Sequence, residues 1–339
     1  MTWTEEKLDS LLSTPSQALI RDMAALDGDI MVLGAGGKMG PTLSTLALNA
    51  LRAAGNLGRV IAVSRFSDPI AARLLRESGV ELISCDLMQK GALDKLPDCE
   101  NIIYMAGRKF GTEGQEALTW AMNAWLPSRV AERFQQSRIV VFSSGNVYPK
   151  LPLASGGADE SISPAPVGDY GMSCLGRERM FEYAAQAYGT RVALFRLNYA
   201  VDLRYGVLFD IAQKIVNGEP VSLAMPCFNC IWQASANDAA LRLLPLCSDK
   251  VFRMNVTGPE TAGTEKTARK LGMLLGKQPV FCGETPDSAL LSDASLMHSA
   301  FGYPSVSLDT LIRWQAEWIL SGGRCLNKPT HFEERKGTY

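Results

Sequence analysis

The sequence has very little histidine, no excess of charge of either sign and no long apolar run. Its 339 residues include 2 histidines, and 34 basic and 35 acidic residues leave a net charge of −1. This balance argues against nucleic acid or an anionic membrane as the main partner, because both attract a concentrated basic face. The sequence also shows no cationic, apolar leader and no run approaching about 18 apolar residues, so we expect a cytoplasmic protein without a membrane span.

Cysteine is present, but not in an arrangement typical of a disulfide framework or a metal site. Eight cysteines are scattered along a long chain without a secretory signal, so we expect free thiols. Cys227 and Cys230 have the spacing of half a zinc site, but no second pair accompanies them. Because His298 and His331 are the only histidines, we expect no metal.

Strand-like and helix-like segments alternate through the first two thirds of the chain. Apolar runs predict strands at 30–33, 60–63, 80–84, 101–105, 138–142 and 191–196, separated by helices near 40–54, 69–78, 115–135 and 171–188. This alternation predicts an α/β fold of the Rossmann type, which is a doubly wound parallel sheet with helices on both faces. A chain of this length is expected to bury a large core and to include a second lobe.

Changes in composition along the chain predict the domain organisation. Residues 1–27 carry apolar positions at helical spacing and predict an N-terminal helical arm. Residues 28–200 are expected to form the Rossmann domain, to which the segment at about 235–258 returns. Prolines punctuate residues 201–325, which we expect to form a smaller C-terminal substrate-binding lobe. Residues 326–339 are expected to form a polar and partly mobile tail.

A glycine-rich turn follows the first predicted strand. Gly34, Gly37 and Gly40 stand in a Gly-x-x-Gly-x-x-Gly register before a predicted helix. Glycines at such a junction let backbone N–H groups at the helix N-terminus approach a pyrophosphate. Lys38 and Met39 lie inside the turn, and Lys38 would add positive charge. Because glycines also form ordinary turns, the turn favours a dinucleotide site without establishing one.

The residues that end the second and third predicted strands indicate the cofactor. Ser64 and Arg65 stand where a carboxylate would hold the ribose 2′-hydroxyl of NAD. An arginine there can accept the 2′-phosphate of NADP, so we expect NADP, with NAD as the alternative if Arg65 is only a solvated loop residue. Asp86 and Leu87 end the third strand, and the Asp86 carboxylate can accept a hydrogen bond from the adenine amino group.

In their order and spacing, these motifs resemble the extended short-chain dehydrogenase/reductase family, the NAD(P)-dependent epimerase/dehydratase group. The resemblance extends from about residue 29 to about residue 320. The glycine turn matches the cofactor turn of that family, and Asp86-Leu87 matches its adenine contact. The resemblance implies further cofactor-binding positions after the fourth strand and on two helices, here Met105, Ala106, Gly107, Asn123 and Cys174.

Two segments match the catalytic residues of that family. Val141–Tyr148 resembles its catalytic serine strand, with Ser144 in the active position. Tyr170 stands 26 residues after Ser144, on the first position of a Tyr-x-x-x-Lys motif. The resemblance implies hydride transfer to or from the nicotinamide, coupled to proton transfer through the Tyr170 hydroxyl. The last position of the motif, however, is Cys174 instead of lysine, so the active site is atypical.

The missing lysine leaves the catalytic prediction open. Tyrosine has an ordinary pKa near 10, so at neutral pH it needs a neighbouring cation to act as a base. Arg177 follows one helical turn after Cys174, in a position that need not face the site. We interpret Cys174 as a loss of the lysine and not as a nucleophile, because no partner histidine is apparent.

Three functions remain open. Because Ser144 and Tyr170 are retained, we favour an NAD(P)-dependent oxidoreductase or epimerase that acts on a hydroxyl or ketone of a sugar-like substrate, with another group or a water relay in place of the lysine. A catalytically silent NADP-binding sensor or partner protein would explain the missing lysine. The local Gly36–Gly40 sequence is similar to that of dihydrodipicolinate reductase, which would need neighbouring histidines that this sequence lacks.

Two departures from the family pattern bear on the substrate. Gly145 and Asn146 follow Ser144, where sugar-nucleotide dehydratases carry an acidic pair, so dehydration is disfavoured. Ile231–Gln233 occupies the stretch where nucleotide-sugar epimerases carry an arginine for the diphosphate. A smaller sugar-like substrate, uncharged or carboxylated, therefore fits the sequence at least as well as a nucleotide sugar.

The family pairs two helices of each subunit across a two-fold axis, and the resemblance implies a homodimer here. The helices predicted at 115–135 and 171–188 carry the aromatic residues that we expect at this interface, namely Trp120, Trp125, Phe181 and Tyr183. The alternative is that these aromatic side chains belong to the core.

Overall fold

The chain folds around a seven-stranded parallel sheet. The computed structural model describes residues 3–109, 111 and 114–338. The strands are β1 (Ile30–Leu33), β2 (Val60–Ser64), β3 (Glu81–Ser84), β4 (Asn101–Tyr104), β5 (Arg138–Ser144), β6 (Arg191–Leu197) and β7 (Phe252–Val256). They lie in the order β3-β2-β1-β4-β5-β6-β7, with every neighbouring pair parallel. The predicted Rossmann-type fold is confirmed, and the strand order reverses between β1 and β4.

Helices cover both faces of this sheet. Their bounds are α1 (Glu5–Leu12), α2 (Gln17–Ala24), α3 (Gly40–Ala53), α4 (Pro69–Ser78), α5 (Glu116–Trp120), α6 (Leu126–Arg133), α7 (Gly168–Tyr188), α8 (Val207–Asn217), α9 (Gln233–Arg242), α10 (Thr264–Leu275), α11 (Ser295–Phe301) and α12 (Leu308–Leu320). Successive strand residues point to opposite faces, so Val32 packs with α2, α3 and α9, whereas Leu33 packs with α6 and α7. The sheet therefore separates two apolar cores.

The helix predicted at 115–135 is interrupted in the structure. It consists of α5, a π-helical segment at Ala121–Trp125, and α6. Pro127 stands in the first turn of α6 and has no N–H to donate to the preceding turn, so a regular α-helix cannot continue through it. The wider turn contains Asn123, which is fully buried. Short π-helical segments of this kind are frequent at functional sites.

One aromatic residue that we expected at a dimer interface lies in the core instead. Phe181 of α7 is fully buried, and its ring centre lies 5.3 Å from that of Tyr104 on β4. The interface prediction is therefore wrong for Phe181, because this position of α7 faces the sheet. The other three aromatic side chains are exposed, by 39% at Trp120, 47% at Trp125 and 59% at Tyr183.

A second lobe has an apolar core of its own, which gathers side chains from α8, α10 and α12. Four pairs of two-residue strands connect its segments to one another and to the loops of the sheet. The pairs are Ala200–Val201 with Ile231–Trp232, Val221–Ser222 with Phe281–Cys282, Cys227–Phe228 with Ala262–Gly263, and Leu151–Pro152 with Ser288–Ala289. Helix α1 also packs into this core through Leu8 and Leu12.

Residues 325–338, which we call the C-terminal segment, pack against the second lobe. Phe332 is 1% exposed, and its ring centre lies 6.1 Å from that of Phe228. Arg335 donates hydrogen bonds to the carbonyl oxygens of Ala224 and Ser288 at 3.1 and 2.8 Å. The expected mobile tail is therefore held in place, because a single buried aromatic ring anchors an otherwise polar stretch.

All eight cysteines are free, with Cys227 and Cys230 on either side of a short loop. In the part of the chain that the structure describes, no three His, Cys, Asp or Glu side chains are arranged to hold a metal ion. None of the described helices is both long enough and apolar enough to cross a membrane.

A buried ion pair joins α7 to the centre of the sheet. Arg196 of β6 donates from Nε and Nη2 to the two carboxylate oxygens of Glu178 at 2.9 and 2.7 Å, and the two side chains are 2% and 0% exposed. Ser143 of β5 donates to the same carboxylate at 2.6 Å. Arg196 Nη1 also donates to the hydroxyl of Tyr148 at 2.7 Å, and that hydroxyl donates to Asn255 of β7 at 2.9 Å. Three strands and one helix are thus fixed by one network.

We expect removal of one partner of this network to destabilise the whole fold. The variant Arg196→Met leaves the Glu178 carboxylate buried without its cation and should lower the free energy of unfolding by about 3–5 kcal/mol in urea denaturation. The control variant Glu265→Ala breaks the exposed pair with Arg269, so its unfolding midpoint should stay close to the parent value. Equal unfolding curves for the parent and Arg196→Met would contradict this assignment.

Candidate active site

The candidate active site lies where the strands of the parallel sheet end. Ligands of such sheets bind beyond the carboxyl ends of the strands, at the point where the strand order reverses. Here that point separates β1 from β4. The residues predicted for the site stand at or just after the ends of β1, β2, β4 and β5, among them Gly34, Ser64, Met105 and Ser144.

The glycine turn brings β1 and α3 close to the end of β4. Gly34 has a φ of 93°, and a Cβ at this residue would lie 2.6 Å from the backbone nitrogen of Ala106. A Cβ on Gly40 would lie 2.3 Å from the carbonyl oxygen of Ala35. Side chains at these two positions would therefore force the turn open. Gly37, between them, is exposed.

The N-terminus of α3 has the properties of an anion site. The first N–H groups of a helix lack acceptors within the helix. No described side chain caps those of α3, and the first turn holds no acidic residue. Lys38 and Met39 precede the helix, and both are partly buried. Free N–H groups, the positive end of the helix dipole and a nearby lysine together suit a pyrophosphate.

A cavity of about 570 Å³ opens at the ends of β2 and β3. Its lining includes the cationic side chains of Arg65, Lys90 and Lys95 together with the carboxylate of Asp86. One Asp86 oxygen accepts a hydrogen bond from the backbone nitrogen of Met88 at 3.0 Å, so the carboxylate is held in one orientation. The cavity thus combines a fixed acceptor with a surplus of positive charge.

Asn123 and Arg177 hold the turn that follows β4. Asn123 Oδ1 accepts from the backbone nitrogen of Arg108 at 2.8 Å, and its Nδ2 donates to the Arg108 carbonyl at 2.8 Å. Arg177 donates to the same Oδ1 at 2.9 Å and to the Phe142 carbonyl at 2.6 Å. A Cβ on Gly107 would lie 2.3 Å from the Arg177 guanidinium, so the backbone of this turn packs directly against the arginine side chain.

Ser144 and Tyr170 are brought together, although 26 residues separate them in the sequence. Ser144 ends β5 and Tyr170 lies in the first turn of α7, close enough for the Ser144 hydroxyl to affect the pKa of Tyr170. Burial raises the pKa of Tyr170 well above its ordinary value, and the neighbouring Cys174 raises it further. Ser144 and the charge of Arg177 lower this pKa without cancelling the effect of burial. The phenol is therefore a proton donor at neutral pH.

Cys174 lies one turn after Tyr170 on α7 and is fully buried. It packs in a small apolar cluster with Tyr148 and Ala158. Burial raises the pKa of its thiol, with the charge of Arg177 opposing that effect. A buried, protonated thiol supplies no cation and is not nucleophilic, which agrees with reading Cys174 as a loss of the lysine.

Two lysines outside the motif approach the same region. Lys109, in the loop after β4, has its Nζ 5.7 Å from the centre of the Tyr170 ring. Lys38, in the glycine turn, has its Nζ 3.5 Å from the centre of the Tyr205 ring. Burial lowers the pKa of Lys109 to about 8 and that of Lys38 to about 7. The sequence pattern did not single out Lys109, which stands two residues after Gly107.

The C-terminal segment crosses this part of the site. Its Lys328 and Thr330 carbonyl oxygens accept hydrogen bonds from Lys38 at 3.4 Å and from Lys109 at 3.3 Å. Further on, a Cβ on Gly168, the first residue of α7, would lie 2.6 Å from the carbonyl oxygen of Gly337. The segment therefore runs past the glycine turn and the loop after β4 to the start of the helix that carries Tyr170.

The structure thus gathers the predicted residues along one edge of the sheet, in three groups. The glycine turn and the residues after β2 and β3 form the first group, the residues after β4 with Asn123 form the second, and the pair of Ser144 and Tyr170 forms the third. Leu87 and Ala106 are buried beneath this edge, with 7% and 8% of their surface exposed.

Comparisons with known proteins agree with this geometry. Residues 30–224 match the model of the NAD-dependent epimerase/dehydratase family. A search of the curated proteins found no match.

Solved structures of UDP-sugar epimerases share the fold. UDP-glucuronic acid 4-epimerase from Bacillus cereus, solved with UDP-glucuronic acid and NAD, is 18% identical, with a TM-score of 0.70 over 86% of this chain and 99% of that one. UDP-glucose 4-epimerase from Thermotoga maritima, solved with UDP-glucose, is 18% identical, with a TM-score of 0.70 over 87% and 99%. The Thermus thermophilus UDP-glucose 4-epimerase complex with NAD is 18% identical, with a TM-score of 0.69 over 85% and 98%.

Proposed function

The chain belongs to the NAD-dependent epimerase/dehydratase family, and on that premise we propose that it transfers a hydride between NADP and a hydroxyl or ketone of a sugar-like substrate. The observation that carries this proposal is the approach of the Ser144 and Tyr170 side chains to each other at the carboxyl edge of the sheet. The glycine turn, whose helix N-terminus has no side-chain cap, lies on the same edge of the sheet. An acid–base pair next to a dinucleotide site is what such a reaction requires.

The residues present fit a dinucleotide. The uncapped N-terminus of α3 and the close approach at Gly34 suit the pyrophosphate. Asp86 would accept from the adenine amino group, and Ser64 and Arg65 would face the adenosine ribose. The three cations around the cavity at β2 and β3 favour NADP over NAD, because they can accept a 2′-phosphate. The bound cofactor supplies the hydride donor or acceptor, and the nicotinamide half would lie along Met105, Ala106 and Gly107.

Tyr170 and Ser144 would handle the proton that accompanies the hydride. In the direction of ketone reduction, the protonated Tyr170 hydroxyl donates to the oxygen of the substrate while Ser144 holds that oxygen by a hydrogen bond. In the direction of alcohol oxidation, Tyr170 must first lose its proton, which its raised pKa opposes. The protonated phenol therefore favours reduction at neutral pH.

We propose a substrate smaller than a nucleotide sugar. Ile231 and Trp232 are 1% and 3% exposed, and Gln233 donates to the Thr42 hydroxyl at 3.0 Å. This stretch therefore offers no arginine and no accessible side chain to a diphosphate.

We also propose a homodimer built on α5 to α7. Trp120, Trp125 and Tyr183 expose a large part of their aromatic surface on these helices, and Met172 of α7 is 47% exposed. Adjacent exposed aromatic side chains are typical of a surface that a partner covers. A second copy of the chain would cover them by pairing the same helices across a two-fold axis.

Cofactor preference tests the assignment of Arg65. We expect the protein to bind NADP about tenfold or more tightly than NAD, and the preference to disappear in Arg65→Ala, because a charge-assisted contact to the phosphate contributes about 1.5–3 kcal/mol. Fluorescence titration with both cofactors measures this preference. Arg73→Ala removes an exposed arginine of α4 and should keep the preference. Equal affinity of the parent for both cofactors would refute the NADP assignment.

Turnover tests the role of Tyr170. Tyr170→Phe removes only the hydroxyl, so the rate with a panel of sugar acids, polyols and their ketones should fall about 10²–10⁴-fold while cofactor affinity stays nearly constant. The rate of alcohol oxidation by the parent should rise towards alkaline pH, since a base with a raised pKa is deprotonated only there.

The control for this experiment is Tyr303→Phe, because Tyr303 is 75% exposed and its substitution should leave the rate unchanged. Full activity in Tyr170→Phe would show that another residue transfers the proton. Tight NADP binding without turnover of any substrate would favour the sensor function.

Sedimentation tests the dimer. Trp125→Glu places a charge on the exposed aromatic surface of the helices, and we expect it to convert a dimer into a monomer at micromolar concentration. Leu57→Glu, at a residue that is 97% exposed on another part of the surface, should remain dimeric. A monomeric parent at micromolar concentration would refute the proposed homodimer.

A further inference from the structure

We propose that Lys109 supplies, beside Tyr170, the positive charge that the Tyr-x-x-x-Lys motif lacks at position 174. The inference rests on the proposed function, because it assigns a residue to the same proton transfer. It concerns a positioning residue, since Lys109 would act on the substrate through Tyr170.

The geometry brings Lys109 to the same place from a different element. Position 174 lies on α7, whereas Lys109 lies in the loop after β4, and yet its Nζ is 5.7 Å from the centre of the Tyr170 ring. The Lys109 ammonium and the Cys174 thiol are close enough for each to influence the pKa of the other. Lys109 therefore approaches, from the loop after β4, both Tyr170 and Cys174, the first and last positions of the motif on α7.

Two sets of contacts hold Lys109 in this position, one at the backbone of the preceding residue and one at its ammonium group. Before it, the backbone of Arg108 is fixed by two hydrogen bonds to the buried Asn123. The ammonium itself donates to the carbonyl oxygen of Thr330 in the C-terminal segment at 3.3 Å. A residue held at its backbone and at its charged end can act on a neighbour with defined geometry.

The other cations near Tyr170 differ from Lys109 in their contacts. The charge of Arg177 lowers the pKa of Tyr170, but its two Nη atoms are held by the Phe142 carbonyl and by Asn123. Lys38 lies over the ring of Tyr205, not over that of Tyr170. Among the lysines that the structure describes, Lys109 is therefore the one placed to act as the lysine of the motif.

Groups from four elements lie near Lys109. These are Tyr170 and Cys174 on α7, Asp210 on α8, Lys38 in the glycine turn, and the Thr330 carbonyl in the C-terminal segment. Burial lowers the pKa of Lys109 to about 8, and Cys174 and Asp210 act in the opposite direction. The ammonium is therefore largely charged at pH 7, and from its place over the Tyr170 ring it can favour the ionised form of that side chain.

The first part of the test measures this charge without any substrate. Competitive acetylation of the full chain with acetic anhydride between pH 6 and pH 11, read by peptide mass spectrometry, gives the titration midpoint of each lysine. We expect a midpoint of about 8 for Lys109, well below the ordinary lysine value near 10.4. A midpoint for Lys109 at the ordinary lysine value would place the ammonium in solvent and overturn the proposal.

The second part moves the lysine back to the motif. With a substrate from the panel, Lys109→Met should lower the rate at pH 7 about 100-fold. The double variant Lys109→Met/Cys174→Lys should return to within about tenfold of the parent, because the charge is restored beside Tyr170. Lys266→Met is the matched control and should leave the rate unchanged.

The outcomes separate this inference from the proposed function. Near-parental turnover in Lys109→Met, or a loss that Cys174→Lys does not repair in a folded double variant, would overturn the role of Lys109 while leaving the enzyme assignment intact. A parent without any NADP-dependent turnover would overturn the proposed function. In that case the role of Lys109 in catalysis falls with it, whatever the acetylation midpoint.

Discussion

The ion pair between Arg196 and Glu178 is the constraint on which the rest of the site depends. It joins β6 to α7, and Ser143 of β5 adds a third hydrogen bond to the same carboxylate. Ser143 is the neighbour of Ser144, and Glu178 lies two helical turns after Tyr170. The pair therefore fixes the end of the serine strand relative to the tyrosine helix. Because both charges are buried, neither can be replaced alone without leaving the other uncompensated.

Burial also determines the chemistry available around Tyr170. Removal from water raises the pKa of Tyr170 and Cys174 and lowers that of Lys38 and Lys109, so all four groups shift towards their neutral forms. The same desolvation strengthens every interaction with a charge that does enter. A negatively charged ligand would therefore raise the pKa of both lysines and increase their positive charge.

Much of the fold could be predicted from the sequence because the spacing of apolar residues reflects which positions are buried. The predicted strands match β1 to β6 to within two residues at each end, and the glycine turn lies where its spacing indicated. Pairing of Ser144 with Tyr170 followed from the family pattern. Lys109 could not be predicted in the same way, since its approach to Tyr170 depends on how a loop is clamped by Asn123 and by Thr330. The packing of the C-terminal segment depends on one ring, Phe332, that composition alone does not distinguish.

The contact between Gly168 and Gly337 couples two distant parts of the sequence. Both residues have positive φ values, of 73° and 79°, and a Cβ on Gly337 would lie 2.2 Å from the Val167 carbonyl oxygen. Neither glycine can therefore accept a side chain while the segment lies against α7. Substitutions at the two positions should be non-additive, because the first already separates the surfaces that the second would disturb. Gly337, in a polar stretch far along the chain, is thereby as intolerant of substitution as Gly168, the first residue of α7.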